Sequence, residues 1–129
     1  MKIPRPPRWL IVDDDALLLE ATVAALSGVP DVELVACDHP RAALEVFFAE
    51  PESFEMVVTD FNMPGLDGLE LARAIHERAP QMPVVMVTGS DLAGASAPRG
   101  ELRALLPKPY APGALLAAVL AALPKICLV

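Results

Sequence analysis

The chain has 129 residues, which suits a single domain, and 54% of them are hydrophobic. Its net charge of −7 argues against direct binding to DNA, because proteins that bind nucleic-acid backbones gain affinity mainly from Lys and Arg. The longest uninterrupted apolar run, 114–123, has ten residues, whereas a helix needs roughly 20 to span a membrane. The composition therefore excludes a membrane-spanning protein and disfavours a nucleic-acid binder.

Five short apolar runs predict β-strands, and helical patterns lie between them. The predicted strands are 9–12, 32–37, 54–59, 84–87 and 105–106. The predicted helices are 16–26, 40–50, 68–78 and 112–123, with N-caps at Asp15, at Asp38 or His39, and at Asp67. A further helix between the fourth and fifth strands, the fourth in chain order, should be short, distorted or mobile, because 91–100 contains Gly94, Pro98 and Gly100.

Alternation of strands and helices predicts an α/β fold with a parallel sheet covered on both faces. Right-handed crossovers limit the topology, and we expect a flavodoxin-like, doubly wound five-stranded sheet in the order 2-1-3-4-5. We expect a flexible tail at 1–8, one domain at 9–124 and a C-terminal tail at 125–129. The sequence favours a complete single-domain protein.

The two cysteines, Cys37 and Cys127, lie far apart and form no CxxC pair, which indicates neither a disulfide framework nor a zinc site. The N-terminal tail lacks the apolar region of a signal peptide. Both observations favour a reducing compartment, so we expect a cytoplasmic protein.

Polar groups follow four of the predicted strands, namely Asp13-Asp14-Asp15, Asp60, Thr88 and Lys108. In a parallel sheet the carboxyl ends of the strands share one edge, so these groups can converge there. Clustered carboxylates repel one another, and a divalent cation held by oxygen atoms, most simply Mg²⁺, would relieve that repulsion. Lys108 and Thr88 would then neutralise and hydrogen-bond a phosphoryl group carried by an aspartate. Asp60, on the central strand, is the best-placed nucleophile.

Four segments in this order closely resemble the motifs of the receiver domain of two-component response regulators. They are Val12-Asp13-Asp14, Val58 to Gly68, Val87-Thr88-Gly89 and Pro107-Lys108-Pro109. The resemblance extends from about Leu10 to Leu123. It implies that a sensor histidine kinase or a histidine phosphotransfer protein phosphorylates Asp60, and that the domain signals by phosphorylation-dependent partner binding or phosphorelay.

The resemblance also implies a role for each site residue. Asp14 would bind Mg²⁺ directly and Asp13 mainly through water, while Asp60 and the backbone carbonyl of Asn62 would complete the metal site. Thr88 and Lys108 would contact the phosphoryl group. The Lys108–Pro109 peptide bond would be cis, and Gly89 would leave room for the phosphoryl donor.

One departure from the family pattern concerns signalling. The family pairs its Thr with an aromatic residue three positions before the Lys, and that position is Leu105 here. The sequence leaves open the downstream protein and whether the chain forms a homodimer. Tyr110 is predicted to be a packing anchor, and His39 and His76 are expected to play no part in the site.

Three functions are compatible with these residues. The first is a phosphoryl-accepting receiver, which catalyses only its own phosphorylation and dephosphorylation and is not a turnover enzyme. The second is a degenerate receiver that binds partners without phosphorylation. The third is a haloacid dehalogenase-like aspartyl phosphatase with Asp13 to Asp15 as its nucleophile motif, but that family needs a pair of acids after the Lys, and this chain has no Asp or Glu beyond Glu101.

Overall fold

The structure, a computed structural model, describes residues 6–88, 104–108 and 110–123. Its strands are β1 (Arg8–Val12), β2 (Glu33–Cys37), β3 (Phe54–Asp60), β4 (Val84–Thr88) and β5 (Ala104–Pro107). Its helices are α1 (Ala16–Leu26), α2 (Pro40–Ala49), α3 (Gly68–Arg78) and α4 (Pro112–Ala122), with one 3₁₀ turn at Pro51–Ser53. The predicted helix at 91–100, the Lys108–Pro109 bond and most of both tails lie outside the described residues.

The five strands form one sheet in the order β2-β1-β3-β4-β5, and every neighbouring pair is parallel. The predicted flavodoxin-like order is therefore confirmed. The switch point of this order lies at β1 and β3, and in open α/β sheets ligands bind beyond the carboxyl ends of the strands at such a point. A ligand site is therefore expected near the residues that follow Val12 and Asp60.

Successive residues of each strand point to opposite faces, which gives two cores. On one face Leu10, Val12 and Val57 pack beneath α2 and α3. On the other face Trp9, Ile11 and other buried residues pack beneath α1 and α4. Because both faces are covered, the central strands carry continuous apolar runs, namely 9–12 in β1, 56–58 in β3 and 84–87 in β4.

Local capping fixes where the helices begin. The Asp15 carboxylate accepts hydrogen bonds from the backbone of Leu17 and Leu18, and Asp67 forms a capping box with Glu70. His39, not Asp38, caps α2, since its Nδ1 accepts from the backbone N–H of Arg41. Within the described residues, no helix combines the length and apolar content needed to cross a membrane.

Candidate functional site

Four strands deliver polar residues to the same edge of the sheet. Asp13 follows the last residue of β1, Asp60 is the last residue of β3, Thr88 ends β4, and Lys108 follows β5. Because the strands are parallel and adjacent, these residues lie side by side. The convergence that the sequence predicted is thus produced by the sheet itself.

Three carboxylates form the acidic part of the site. Asp13, Asp14 and Asp60 each place a potential ligand atom within 4.8 Å of the others. Asp13 and Asp60 are only 5% and 7% exposed, whereas Asp14 is exposed to solvent. Two of the three acids are therefore held where solvent screens their repulsion poorly.

The backbone fixes the position of Asp13. Its Oδ1 accepts a hydrogen bond of 2.9 Å from the N–H of Asp15, and its own N–H donates to the carbonyl of Cys37 at 3.2 Å. Burial raises the pKa of the Asp13 carboxyl, and the charges of Asp60 and Asp14 raise it further, although the Asp15 hydrogen bond and Lys108 act in the opposite direction. The site therefore holds Asp13 in an environment that opposes its negative charge.

Lys108 supplies the positive charge of the site. Its Nζ donates to Asp60 Oδ1 at 2.9 Å and lies 3.9 Å from Asp13 Oδ2. The backbone N–H of Lys108 donates to the carbonyl of Thr88 at 2.8 Å, which ties the lysine to the end of β4. Burial lowers the pKa of the Lys108 ammonium, but the hydrogen bond to Asp60 and the charges of both acids outweigh it, so the pKa is raised.

The loop after Asp60 is held close to the sheet. The N–H of Phe61 donates to the carbonyl of Val87 at 3.0 Å, and the N–H of Gly68 donates to the carbonyl of Phe61 at 2.8 Å. Gly65 has a φ of +84°, a conformation that favours glycine. The hydroxyl of Thr59 donates to the carbonyl of Asp60 at 2.9 Å. These contacts fix the backbone on both sides of the Asp60 side chain.

Gly68 has a role that the sequence analysis did not identify. A Cβ atom at this position would collide with the carbonyl oxygen of Asp60 and would lie 3.0 Å from the Cα of Phe61. Glycine is a poor helix former, yet here it is the first residue of α3. A glycine at the first position of a predicted helix could have indicated this contact from the sequence. The helix α3 begins with glycine because its first turn packs against the backbone of Asp60.

For Thr88 and Asn62, the other predicted site residues, the structure gives the position in the chain and the exposure to solvent. Thr88 is 1% exposed and is the next residue of β4 after Val87, which pairs with Asp60. Asn62 is exposed and lies two residues beyond β3. The roles of Thr88 and Asn62 stay predictions, and Gly89 lies outside the described residues.

Residues predicted to play no part in the site have structural contacts elsewhere. His39 caps α2, and His76 Nε2 donates to the carbonyl of Met82 at 2.8 Å. Burial, followed by the charge of Asp38, raises the pKa of the Cys37 thiol. Tyr110 packs into the core beneath α1 and α4, as predicted.

The donor chemistry of the site fits a hard divalent cation. Three carboxylates and one ammonium leave an excess of two negative charges when all are ionised (three minus one). All the candidate ligand atoms are oxygens, the donors that Mg²⁺ prefers, and a Mg²⁺ ion with few protein ligands keeps several waters. The cluster of Asp13, Asp14 and Asp60 is therefore a candidate magnesium site.

Comparison with known proteins agrees with this geometry. Residues 9–120 match the sequence profile of the response regulator receiver domain. The response regulator protein FleR of Pseudomonas aeruginosa is 38% identical over 109 residues, which cover 83% of this chain and 22% of that protein. A protein-glutamate methylesterase/protein-glutamine glutaminase of Anaeromyxobacter dehalogenans is 36% identical over 92 residues, covering 70% of this chain and 25% of that protein.

A solved structure shows the same fold. A response regulator receiver domain protein from Clostridium thermocellum superposes with a TM-score of 0.80 at 28% identity, covering 90% of this chain and 93% of the other. The chain thus spans about a quarter or less of these two relatives but nearly all of this solved receiver domain protein. Matched in sequence from 9 to 120 and in fold, the chain belongs to the response regulator receiver domain family.

Proposed function

We propose that this chain accepts a phosphoryl group on Asp60 from a sensor histidine kinase or a histidine phosphotransfer protein in a Mg²⁺-dependent reaction. One observation carries the proposal: Asp60 ends the central strand inside a cluster of three carboxylates, with the Lys108 ammonium 2.9 Å from its Oδ1. A buried nucleophile beside a cation site and a fixed ammonium is the arrangement that phosphoryl transfer requires.

In this reaction an oxygen of the Asp60 carboxylate attacks the phosphorus atom of the donor. For a phosphohistidine donor, the O–P bond forms as the P–N bond breaks, and the imidazole leaves with the electron pair of that bond and takes up a proton. Lys108 neutralises charge that develops on the phosphoryl oxygens, and Thr88 donates a hydrogen bond to them. Mg²⁺, when bound by Asp13, Asp14, Asp60 and the carbonyl of Asn62, would neutralise the remaining charge.

The proposed output is binding to another protein, or onward transfer of the phosphoryl group. The net charge of −7 supports a function without direct DNA binding. We also propose a cytoplasmic location, where the kinase domain of a sensor would be accessible. Hydrolysis of the Asp60 phosphoryl group would end the signal, so the chain acts as a switch and not as an enzyme on an external substrate.

A degenerate receiver is the second candidate, and Leu105 favours it. This residue lies in β5 opposite Met86 and is half-buried, where the family pattern has an aromatic side chain. Leucine has no hydroxyl with which to bond to solvent or a partner in one rotamer and to the protein in another. The acids and Lys108 are nevertheless complete, so phosphorylation remains the better-supported function.

Intact-protein mass spectrometry tests the proposal directly. The protein is incubated with acetyl phosphate, with and without Mg²⁺, as wild type, Asp60→Asn and Asp38→Asn. Asp38 is exposed and lies outside the acidic cluster, so its variant controls for the loss of one carboxylate. We expect one phosphoryl adduct in wild type and Asp38→Asn, only with Mg²⁺, and none in Asp60→Asn.

Two other results would contradict the proposal in different ways. Mg²⁺ binding without any adduct, either from acetyl phosphate or from a phosphorylated histidine phosphotransfer protein, would identify a degenerate receiver. An adduct that persists in Asp60→Asn and maps to 13–15 would favour the aspartyl phosphatase hypothesis.

A further inference from the structure

A partly buried hydrogen bond connects α1 to the chain segment that carries the site lysine. The hydroxyls of Thr22 and Tyr110 are 3.0 Å apart and hydrogen-bonded. Thr22 is only 5% exposed, and it lies in a helix whose other residues, apart from Glu20, are all apolar. A buried hydroxyl destabilises the folded state unless it forms a hydrogen bond. The bond to Tyr110 therefore offsets the free-energy cost of burying the Thr22 hydroxyl.

Tyr110 is close to the site in sequence. It follows Lys108 by two residues, a distance that the chain spans in at most about 7 Å. Lys108 itself is tied to β4 through the hydrogen bond from its N–H to the carbonyl of Thr88. Tyr110 is partly buried and packs against the core beneath α1 and α4. The segment is therefore attached on one side of Lys108 to the sheet and on the other side to α1.

We propose that the Thr22–Tyr110 hydrogen bond positions Lys108 for phosphoryl transfer, so that Thr22 and Tyr110 are positioning residues of the site. The inference rests on the proposed function. The Lys108 Nζ contacts Asp60 at 2.9 Å and Asp13 at 3.9 Å, and both contacts depend on where its backbone lies. Small displacements of a catalytic group are costly, up to about 100-fold in rate for 1 Å. The bond also makes the position of Lys108 sensitive to α1.

Three substitutions isolate the hydrogen bond. Tyr110→Phe and Thr22→Val each remove one hydroxyl and keep the shape of the side chain, while Thr22→Ser keeps the hydroxyl. Each single removal leaves one hydroxyl without this partner, the buried Thr22 hydroxyl in Tyr110→Phe and the hydroxyl of the partly buried Tyr110 in Thr22→Val, whereas the double variant removes both. Stability should therefore be lower in the single variants and recover in the double variant. Positioning of Lys108 should fail in Tyr110→Phe, in Thr22→Val and in the double variant, because none of these can form the bond, whereas Thr22→Ser can.

The measurement is the initial rate of phosphoryl adduct formation from acetyl phosphate at saturating Mg²⁺, with urea unfolding of each variant in parallel. We expect Tyr110→Phe, Thr22→Val and the double variant to be about 3- to 10-fold slower than wild type. Thr22→Ser should react within about twofold of wild type. Ser27→Ala removes another hydroxyl at the end of α1, one that donates to the carbonyl of Ala24, and should leave the rate unchanged.

Other outcomes overturn the inference. If wild type is phosphorylated and the variants react as fast, the bond does not position Lys108 and the proposed function stands. If rate and stability fall together in the single variants and both recover in the double variant, the bond has a structural role only. If one single variant does not fold, the double variant and Thr22→Ser still decide between these results. If wild type forms no adduct at all, the proposed function itself fails.

Discussion

The two edges of the sheet carry charged residues in opposite arrangements. At the amino edge, Arg8 Nε lies 2.7 Å from Glu33 Oε2, and the Arg8 guanidinium lies 4.7 Å from the centre of the Phe54 ring. The indole N–H of the buried Trp9 donates to Glu55 at 2.8 Å. Glu33 keeps half of its side chain in solvent. Charges at this edge are paired or hydrated.

At the carboxyl edge the same strands hold an excess of buried negative charge. Asp13 and Asp60 share the ammonium of Lys108 and are both more than nine-tenths buried, and Asp14 lies beside them in the acidic cluster. Such an arrangement opposes folding unless a cation neutralises it. The amino edge therefore balances its charges within the fold, whereas the carboxyl edge keeps an excess of negative charge at the candidate site. Substitutions at one edge should leave the properties of the other edge unchanged.

The largest effect is expected from Gly68→Ala at the carboxyl edge. The added Cβ would collide with the carbonyl of Asp60 and lie 3.1 Å from the Cε of Met86, and the backbone of β3 cannot move easily. We expect a loss of about 3 kcal/mol in the free energy of unfolding, measured in urea, together with slower phosphorylation. Gly113→Ala is the matched control, because a Cβ there meets nothing within 4 Å and should stabilise α4. Equal effects of the two variants would refute the packing argument.

Mg²⁺ should stabilise the folded protein by relieving the carboxylate repulsion. At a concentration 100 times its Kd, we expect a gain of about 2.7 kcal/mol, seen as a rise in Tm. Asp13→Asn should weaken this response, while Glu33→Gln at the amino edge should leave it unchanged. A Tm that rises equally in both variants would place the ion elsewhere.

Without Mg²⁺, Asp13→Asn should itself stabilise the protein by about 1 kcal/mol at pH 7. Burial raises the pKa of Asp13 in the folded state, so wild type loses stability as the pH rises from the ordinary value of 3.8 through the raised folded value. The difference in the free energy of unfolding between Asp13→Asn and wild type should therefore grow between these two pKa values and stay constant at higher pH. The asparagine oxygen can still accept from the N–H of Asp15, so the loop is preserved. Urea unfolding at pH 3.5, 5 and 7 measures the trend, and a constant difference would contradict it.

The sequence was sufficient for the sheet and for the acids, because both follow from local patterns. Apolar runs specify buried strands, and in a parallel sheet the residue after each run must lie at one edge. The positions of Asp13, Asp60 and Lys108 therefore required only the strand order. Because of that order, the Lys108 Nζ lies within 4 Å of a carboxylate oxygen of both Asp13 and Asp60.

Contacts between side chains far apart in sequence were not predictable in the same way. The Thr22–Tyr110 bond joins residues 88 apart and depends on how α1 is rotated against the sheet. The Trp9–Glu55 bond depends on a register shift between β1 and β3 beside Arg8. Periodicity gives the face of a helix or strand but not these registers, so Tyr110 was predicted only as a packing residue.

The smallest effect is expected from Glu33→Gln at the amino edge. The ion pair with Arg8 is half exposed on the Glu33 side, and Arg8 Nε is not well directed for a hydrogen bond. An exposed pair of this kind contributes roughly 0.5 kcal/mol, and salt screens it. We therefore expect a small loss of stability that disappears at 1 M NaCl, with phosphorylation and Mg²⁺ binding unchanged. A change in phosphorylation rate would show that the two edges are coupled through β1 and would end the separation of their roles.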